Sequence, residues 1–159
     1  MNVFPKATRI GLISDTHGLL RPEAVDALRG SHLILHAGDV GSPEILSNLR
    51  NVAPVVAIRG NVDTEFWASA LPETEVVTAA GVVFYMLHDV QRLDLSPEAA
   101  GFSVVLTGHS HKAMQEFRGK VLYINPGSAG PRRFTLPITV ARLDLKKNPL
   151  HAEIIAIQS

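Results

Sequence analysis

The chain has 159 residues, of which 46% are hydrophobic and 19% charged, a composition typical of a globular protein with one packed core. Its 15 basic and 15 acidic residues balance, so the excess of Lys and Arg that long nucleic acids require is absent from the sequence. There is no cysteine, which excludes disulfide bonds, thiolate metal ligands and a cysteine nucleophile. We expect a single domain over residues 1–159.

The compartment is predicted from apolar segments. No run of the sequence approaches the roughly eighteen apolar residues that a membrane-spanning helix needs. Arg9 interrupts the N-terminal segment before an apolar stretch of signal-peptide length can form. We expect a cytoplasmic protein with no membrane partner.

The first half of the sequence alternates short apolar runs with helical patterns, which is typical of parallel β-α-β units. Strands are expected over residues 9–14, 32–36 and 53–58. A helix over residues 22–29 stops at Gly30, and a helix over residues 42–50 begins with Ser42 as N-cap and Pro43 in its first turn. This half therefore predicts a parallel sheet.

The second half is expected to be rich in antiparallel strands. Strands are predicted over residues 73–79, 82–87, 102–107, 113–117, 120–125, 136–145 and 150–157. Residues 63–72 are expected to form a loop or short helix, and a second short helix is expected within residues 93–101, from Ser96. Parallel and then antiparallel strands in one short chain predict two sheets packed face to face with helices outside.

Five apolar runs each leave a polar side chain at their carboxyl end. These side chains are Asp15 and His17, Asp39, Asn61, His88, and the pair His109 and His111. Open α/β sheets bind ligands at this edge. In extended backbone, side chains two residues apart point to the same side, so His109 and His111 are expected to face one point.

Together these side chains predict a metal centre. Seven candidate ligands exceed the four to six that one transition-metal ion takes, and two ions that share Asp39 as a bridge account for all of them. Each motif alone has an ordinary explanation, such as a turn aspartate or a core histidine. Their common position at strand ends favours a binuclear centre. Oxygen and nitrogen donors suit manganese, iron, zinc or magnesium, and the residue types do not choose among them.

The ordered motifs Asp-x-His, Gly-Asp, Gly-Asn, His and Gly-His-x-His resemble those of the calcineurin-like metallophosphoesterases. Here they span residues 9–128, and the small chain with Asn-Pro-Gly-Ser at 125–128 resembles the compact bacterial and archaeal phosphodiesterase branch. The resemblance implies an α/β fold, a four-layer α-β-β-α sandwich of two mixed β-sheets flanked by helices.

The resemblance also implies a metal-dependent phosphodiesterase that acts on small phosphoesters. Asp15, His17 and His111 would hold the first ion, Asn61, His88 and His109 the second, and Asp39 would bridge. Manganese is the usual ion in this branch, with iron, zinc, nickel or magnesium as alternatives. A hydroxide between the two ions would attack phosphorus in line with the leaving group, and the Asn61 amide would donate to a phosphate oxygen.

One position departs from the family pattern. Many larger members follow the Gly-Asn pair with a histidine that protonates the leaving group, but Val62 stands there, followed by Asp63. Because valine cannot transfer a proton, the general acid is Asp63, a water molecule or absent. We expect slow hydrolysis that favours good leaving groups.

Two residues are assigned supporting roles. His36, three residues before Asp39, is expected to orient a metal ligand by a hydrogen bond. Arg132 is a candidate for binding the substrate phosphate, with solvated surface charge as the alternative.

Two other functions remain as alternatives. The chain resembles the scaffold that the retromer subunit of this fold uses as a protein-binding module, although that subunit has lost ligand positions that are all filled here. A DNA nuclease like the larger repair enzymes needs capping domains and a basic track, and the sequence lacks both. Exposed strands in the C-terminal third could pair between copies of the chain, so a homodimer or tetramer is an open alternative to a monomer.

Overall fold

Two mixed β-sheets packed face to face form the fold. A computed structural model describes residues 2–157. The strands are β1 (Asn2–Phe4), β2 (Arg9–Ile13), β3 (Leu33–His36), β4 (Val55–Ala57), β5 (Thr74–Ala79), β6 (Val82–Leu87), β7 (Val104–Leu106), β8 (Met114–Arg118), β9 (Val121–Asn125), β10 (Ile138–Asp144) and β11 (Ala152–Ile157). The α-helices are α1 (Pro22–Leu28) and α2 (Pro43–Arg50). Within residues 2–157, neither helix nor any other has the length and apolarity to cross a membrane.

The first sheet has five strands in the order β11-β10-β2-β3-β4. Strands β2, β3 and β4 run parallel, and β10 and β11 add to the sheet in antiparallel pairing. All four residues of β3 are buried, as expected for a central strand covered on both faces. Both α-helices pack against the outer face of this sheet, where Leu28 and Leu49 meet Ile13 and Ile34.

The second sheet has six strands in the order β1-β5-β6-β7-β9-β8. Its centre is parallel, from β6 through β7 to β9, and the hairpins β5–β6 and β8–β9 are antiparallel. A core between the two sheets contains Leu12 and Leu35 from one sheet and Phe84, Met86 and Leu106 from the other, all fully buried. The shared core fixes the parallel strands of both sheets relative to one another.

The outer face of the second sheet has a thinner cover. Tyr85, Val105 and Tyr123 form an apolar patch on this face, and Phe102 stacks on Tyr85 with ring centroids 4.9 Å apart. Among the described residues, the segment between β6 and β7 contributes a 3-10 helix, Val90–Arg92, and no α-helix. The fourth layer of the sandwich is therefore a loop with one short helical turn.

The structure confirms the predicted sandwich of two mixed sheets, and both predicted α-helices lie within one residue of their expected bounds. The short helix predicted from Ser96 is wrong. That segment forms turns, in which the Ala100 N–H donates to the Ser96 carbonyl at 3.0 Å, and Gly101 follows with a left-handed φ of 83° that ends the turn. Strand β1, which pairs parallel with β5, was not predicted.

Candidate metal centre

The predicted ligands lie on loops that leave the carboxyl ends of five strands, and their backbone is strained. Five of the seven have a left-handed φ: Asp15 (56°), His17 (46°), Asp39 (55°), His109 (72°) and His111 (63°). Such a conformation costs a residue with a side chain on the order of 1–3 kcal/mol. Strain concentrated at five polar residues indicates that the surrounding structure holds them for a purpose other than stability.

Glycines let these loops approach one another closely. A Cβ atom at Gly60 would overlap the backbone nitrogen and a carboxylate oxygen of Asp39, and one at Gly108 would overlap the hydroxyl of Ser14. Each glycine directly precedes a predicted ligand, Asn61 or His109. The Gly-Asn and Gly-His motifs therefore reflect a steric requirement of the centre as well as its chemistry.

Asp15 presents one bare carboxylate oxygen to the centre. Its Oδ2 accepts from the Ser14 hydroxyl at 2.7 Å and from the His109 N–H at 3.1 Å. Its Oδ1 is fully buried and has no hydrogen-bond partner. Three histidine Nε2 atoms surround Oδ1, at 3.4 Å (His111), 3.7 Å (His88) and 3.8 Å (His17). A buried oxygen that lacks a donor but faces several ring nitrogens fits a bound cation.

Asp39 lies between the two halves of the predicted centre. Its Oδ2 is 3.7 Å from His17 Nε2 on one side and 3.1 Å from His88 Nε2 on the other, while Oδ1 accepts from the Val62 N–H at 3.0 Å. The nearest amide atom of Asn61 is 3.2 Å from His88 Nε2 and 3.3 Å from each Asp39 oxygen. Placed as the amide oxygen, this atom faces only other acceptors, namely His88 Nε2 and the Asp39 oxygens. A cation bound between them would satisfy all of their lone pairs.

The acid and histidine donors form two overlapping triads within the described chain. One contains Asp15, His17 and His111, and the other contains Asp15, Asp39 and His88, with the ligand atoms of each triad within 4.8 Å of one another. The first triad matches the set predicted for the first ion. The second triad combines Asp15 with the predicted bridge Asp39 and with His88, which is predicted to hold the second ion.

His109 is the most open of the four predicted histidine ligands. Its ring meets that of His88 edge to face with centroids 5.3 Å apart, and its Nε2 lies 3.8 Å from Asp89 Oδ2. The His109 side chain is 45% exposed. It therefore stands at the mouth of the centre.

The carboxylates and histidines of the centre change one another's proton affinity. Burial alone would raise the pKa of Asp15, but the neighbouring His111 and His17 rings lower that pKa overall. The Asp15 carboxylate in turn raises the pKa of His17. Burial opposes protonation of His88, yet its hydrogen bond with Asp39 raises the His88 pKa. A cation would compete with protons for these atoms, so its binding strengthens as pH rises.

Three residues that are not among the predicted site residues support the ligands. Ser14 anchors Asp15 Oδ2, as described above. Asn125 donates through Nδ2 to the Gly108 carbonyl at 2.9 Å and to the Ser110 hydroxyl at 3.0 Å, which shapes the Gly-His-x-His loop. The Ser128 hydroxyl donates to the Asp15 carbonyl at 3.0 Å. The Asn-Pro-Gly-Ser motif is the sequence feature that could have predicted two of these roles, because Asn125 and Ser128 are its first and last residues.

His36 supports the ligand loops through their backbone. Its Nδ1 accepts from the Gly38 N–H at 3.1 Å, and its Nε2 contacts the Thr16 hydroxyl at 3.0 Å, which itself donates to the Val40 carbonyl. Complete burial lowers the pKa of His36 to about 4, so the ring is neutral. His36 is predicted to orient a ligand by a hydrogen bond, and the bonds it makes hold the chain on either side of the ligands, at Thr16 and Gly38.

The structure gives Asp63 a different role from the predicted general acid. Its carboxyl group is buried and accepts three backbone N–H bonds, from Gly60 at 2.9 Å, Val40 at 3.1 Å and Gly41 at 3.0 Å. These bonds join the loop after β3 to the loop after β4. All of its hydrogen bonds use it as an acceptor, so Asp63 is poorly suited to donate a proton to a leaving group.

Asp63→Ala is expected to lower the free energy of unfolding by about 2–4 kcal/mol, because three N–H groups lose their acceptor. Urea denaturation measures this loss. Asp63→Asn keeps one acceptor oxygen and is expected to lose less stability. An alanine variant of unchanged stability that hydrolyses only poor leaving groups more slowly would instead support the general-acid role.

Arg132 does not fill its predicted place at the centre. It is exposed, and Nη1 donates to the Leu136 carbonyl of its own loop at 3.3 Å. The guanidinium of Arg132 is therefore bonded to its own loop and not to the centre. The neighbouring Arg133 opposes the rise that Asp15 causes in the pKa of His17.

Comparison with known proteins agrees with this geometry. The sequence profile described as the calcineurin-like phosphoesterase superfamily domain matches residues 8–148. The chain belongs to this superfamily. It is 37% identical to a probable metallophosphoesterase of Methanothermobacter thermautotrophicus over 159 residues, which cover 92% of this chain and 91% of the relative.

Solved phosphoesterase structures share the fold. The chain resembles an archaeal phosphodiesterase with a TM-score of 0.77 and 25% identity, over 92% of this chain and 99% of the other. It also resembles Vps29 of Chaetomium thermophilum, with a TM-score of 0.74 and 19% identity, over 96% of this chain and all of the other. Because the superfamily fold occurs in both proteins, the site must decide the function.

Proposed function

We propose that the protein is a phosphodiesterase that uses two divalent cations, with manganese as the expected ion. The observation that carries this proposal is the buried, unpartnered Oδ1 of Asp15, faced by three histidine Nε2 atoms. Asp15, His17 and His111 would hold one cation, Asn61, His88 and His109 the other, and Asp39 would contact both.

Bound cations of this kind supply a hydroxide nucleophile near neutral pH and neutralise the charge of the phosphoryl oxygens. The chain's own residues prepare that chemistry. The Ser14 hydroxyl and the His109 N–H turn Asp15 so that Oδ1 faces the centre, and the Val62 N–H does the same for Oδ2 of Asp39. Asn61 is neutral and contributes an oxygen without adding charge.

A cleft of about 470 Å³ opens from the Asn61 side of the centre. It is lined by Asn61, His88 and His109 and by Tyr85 and Leu87 from the outer face of the second sheet. This volume lies in the range that small-molecule sites occupy. We place the organic part of a small phosphoester here, next to the predicted second cation.

Two measurements on one preparation test the proposal. Protein loaded with Mn²⁺ and freed of excess metal should retain two equivalents per chain and hydrolyse bis(4-nitrophenyl) phosphate. Fewer than two equivalents, or two without hydrolysis of any phosphodiester in a broad panel, contradicts the proposal. Zinc, iron, nickel and magnesium are compared in the same assay, because these residue types also accept them.

The rate is expected to depend steeply on the pKa of the leaving alcohol. Val62 follows Asn61 directly, its side chain cannot donate a proton, and the carboxyl group of Asp63 is committed to three backbone N–H groups. The leaving alcohol therefore departs without a protein acid. Measuring kcat/KM across substituted phenyl phosphodiesters checks this, and a flat dependence would show that an effective acid is present.

A protein-binding module is the alternative, and the likeness to Vps29 is the observation that favours it. The same fold serves that protein, and in the present chain Phe66, at the start of a 3-10 helix, and Phe134, in a turn, are 92% and 87% exposed. Binding alone predicts no turnover in any metal. Turnover that requires the cations, and that disappears with the substitution of a predicted ligand, separates the two functions.

A further inference from the structure

We propose that Asp89 is a positioning residue that holds Nε2 of His109 and so leaves Nδ1 as the ring nitrogen available to the second cation. The inference rests on the proposed binuclear centre, in which His109 is a ligand. Its basis is the juxtaposition of an anchored carboxylate with the one predicted histidine ligand that is largely open to solvent.

The Asp89 carboxyl group is fixed by the chain that follows it. Oδ1 accepts from the Gln91 N–H at 3.0 Å, which caps the 3-10 helix Val90–Arg92. Oδ2 is left to face His109 Nε2 at 3.8 Å, an ion-pair distance. One oxygen therefore anchors the side chain while the other meets the imidazole.

His88 shows a comparable arrangement with its two ring nitrogens exchanged. Its Nδ1 bonds to the Ala37 carbonyl at 2.7 Å, and its Nε2 points to Asp39 at 3.1 Å. A histidine that binds a metal almost always donates its other ring N–H to a carboxylate or carbonyl, which sets its tautomer and orientation. For His109, the side chain that offers this acceptor is Asp89.

His109 needs such a partner more than its neighbours do. Its side chain is 45% exposed, whereas those of His88 and His111 are 7% and 4% exposed and are fixed by packing. The backbone N–H of His109 is held by Asp15, but this bond does not set the rotation of the ring. Without Asp89, the imidazole is free to turn into the cleft.

The inference is tested by measuring Mn²⁺ binding to metal-free protein with titration calorimetry. Asp89→Asn is the key variant because its amide oxygen still caps Gln91, while its NH2 group cannot accept from His109. The second equivalent of Mn²⁺ is expected to bind about 10–100-fold more weakly and the first to be unchanged. Asp94→Asn is the matched control, since Asp94 lines the same cleft and should leave both equivalents unchanged.

A double-mutant cycle separates positioning from direct ligation by Asp89. If Asp89 acts through His109, Asp89→Asn should weaken Mn²⁺ binding no further in a His109→Ala background. Additive losses would overturn the positioning role, and so would wild-type affinity for both equivalents in Asp89→Asn. Wild-type protein that takes up fewer than two equivalents overturns the binuclear proposal itself, so the two failures are distinguishable.

Discussion

Asp39→Asn is expected to reduce hydrolysis of bis(4-nitrophenyl) phosphate in Mn²⁺ by about 1000-fold or more. An asparagine oxygen can still accept from the Val62 N–H, so the loop keeps its anchor. The NH2 group then replaces Oδ2, which lies 3.1 Å from His88 Nε2 and 3.7 Å from His17 Nε2. A donor at that point cannot bind a cation, and the charge that both halves of the centre share is lost.

The stability of this variant shows whether the lost activity reflects lost folding. Burial alone would raise the pKa of Asp39, but its hydrogen bonds with His88 and with the Val62 N–H lower that pKa overall, so the charged carboxylate stabilises metal-free protein. We expect the metal-free variant to stay folded and to melt somewhat below the wild-type temperature. Mn²⁺ should stabilise wild-type protein and stabilise Asp39→Asn much less.

Asp26→Asn is the matched control, because Asp26 is 70% exposed on α1 and its ion pair within residues 2–157 is with Arg29. It should keep full activity and the full stabilisation by Mn²⁺. Asp39→Asn with more than about a tenth of wild-type activity and two retained cations would refute a shared carboxylate.

The convergence of the ligands could be predicted from the sequence because it depends on topology. Apolar runs that alternate with helices predict parallel strands, and parallel strands in one sheet end at the same edge. Asp15 and Asp39 follow β2 and β3, which pair in parallel. The topology of the sheet is therefore enough to predict that these two residues lie close together. The same rule brings Asn61 beside them, because β4 pairs in parallel with β3, whereas His88 follows β6 of the second sheet and its approach depends on how the two sheets pack.

The roles of the supporting residues depended on hydrogen bonds that no pattern encodes. Asp63 follows the motif by one position and looked available for proton transfer, but three backbone N–H groups occupy it. The charge of Arg132 suggests a phosphate ligand, but its guanidinium donates to the Leu136 carbonyl of its own loop. The helix expected from Ser96 also failed, because Gly101 ends the segment after one turn.

Gly60→Ala is expected to lower activity about 100-fold or more, although residue 60 binds no cation in the proposed centre. A Cβ atom there would overlap the Asp39 backbone nitrogen and its Oδ1, and Cγ of Asp39 would lie only 2.8 Å away. Since the overlapping atoms include backbone, no side-chain rotation relieves the clash. The loops after β3 and β4 must separate, which moves Asp39 away from Asn61 and breaks the Gly60 N–H bond to Asp63.

Gly30→Ala separates this effect from a general cost of adding a methyl group. Gly30 ends the turn after α1 with a φ of 87°, and its Cβ position is open space. The control should lose about 1 kcal/mol of stability from the left-handed backbone and keep its activity and both Mn²⁺ equivalents. Gly60→Ala should lose uptake of at least one equivalent along with activity. If Gly60→Ala instead keeps wild-type turnover, the centre tolerates a shift of Asp39 that a shared ligand should not allow.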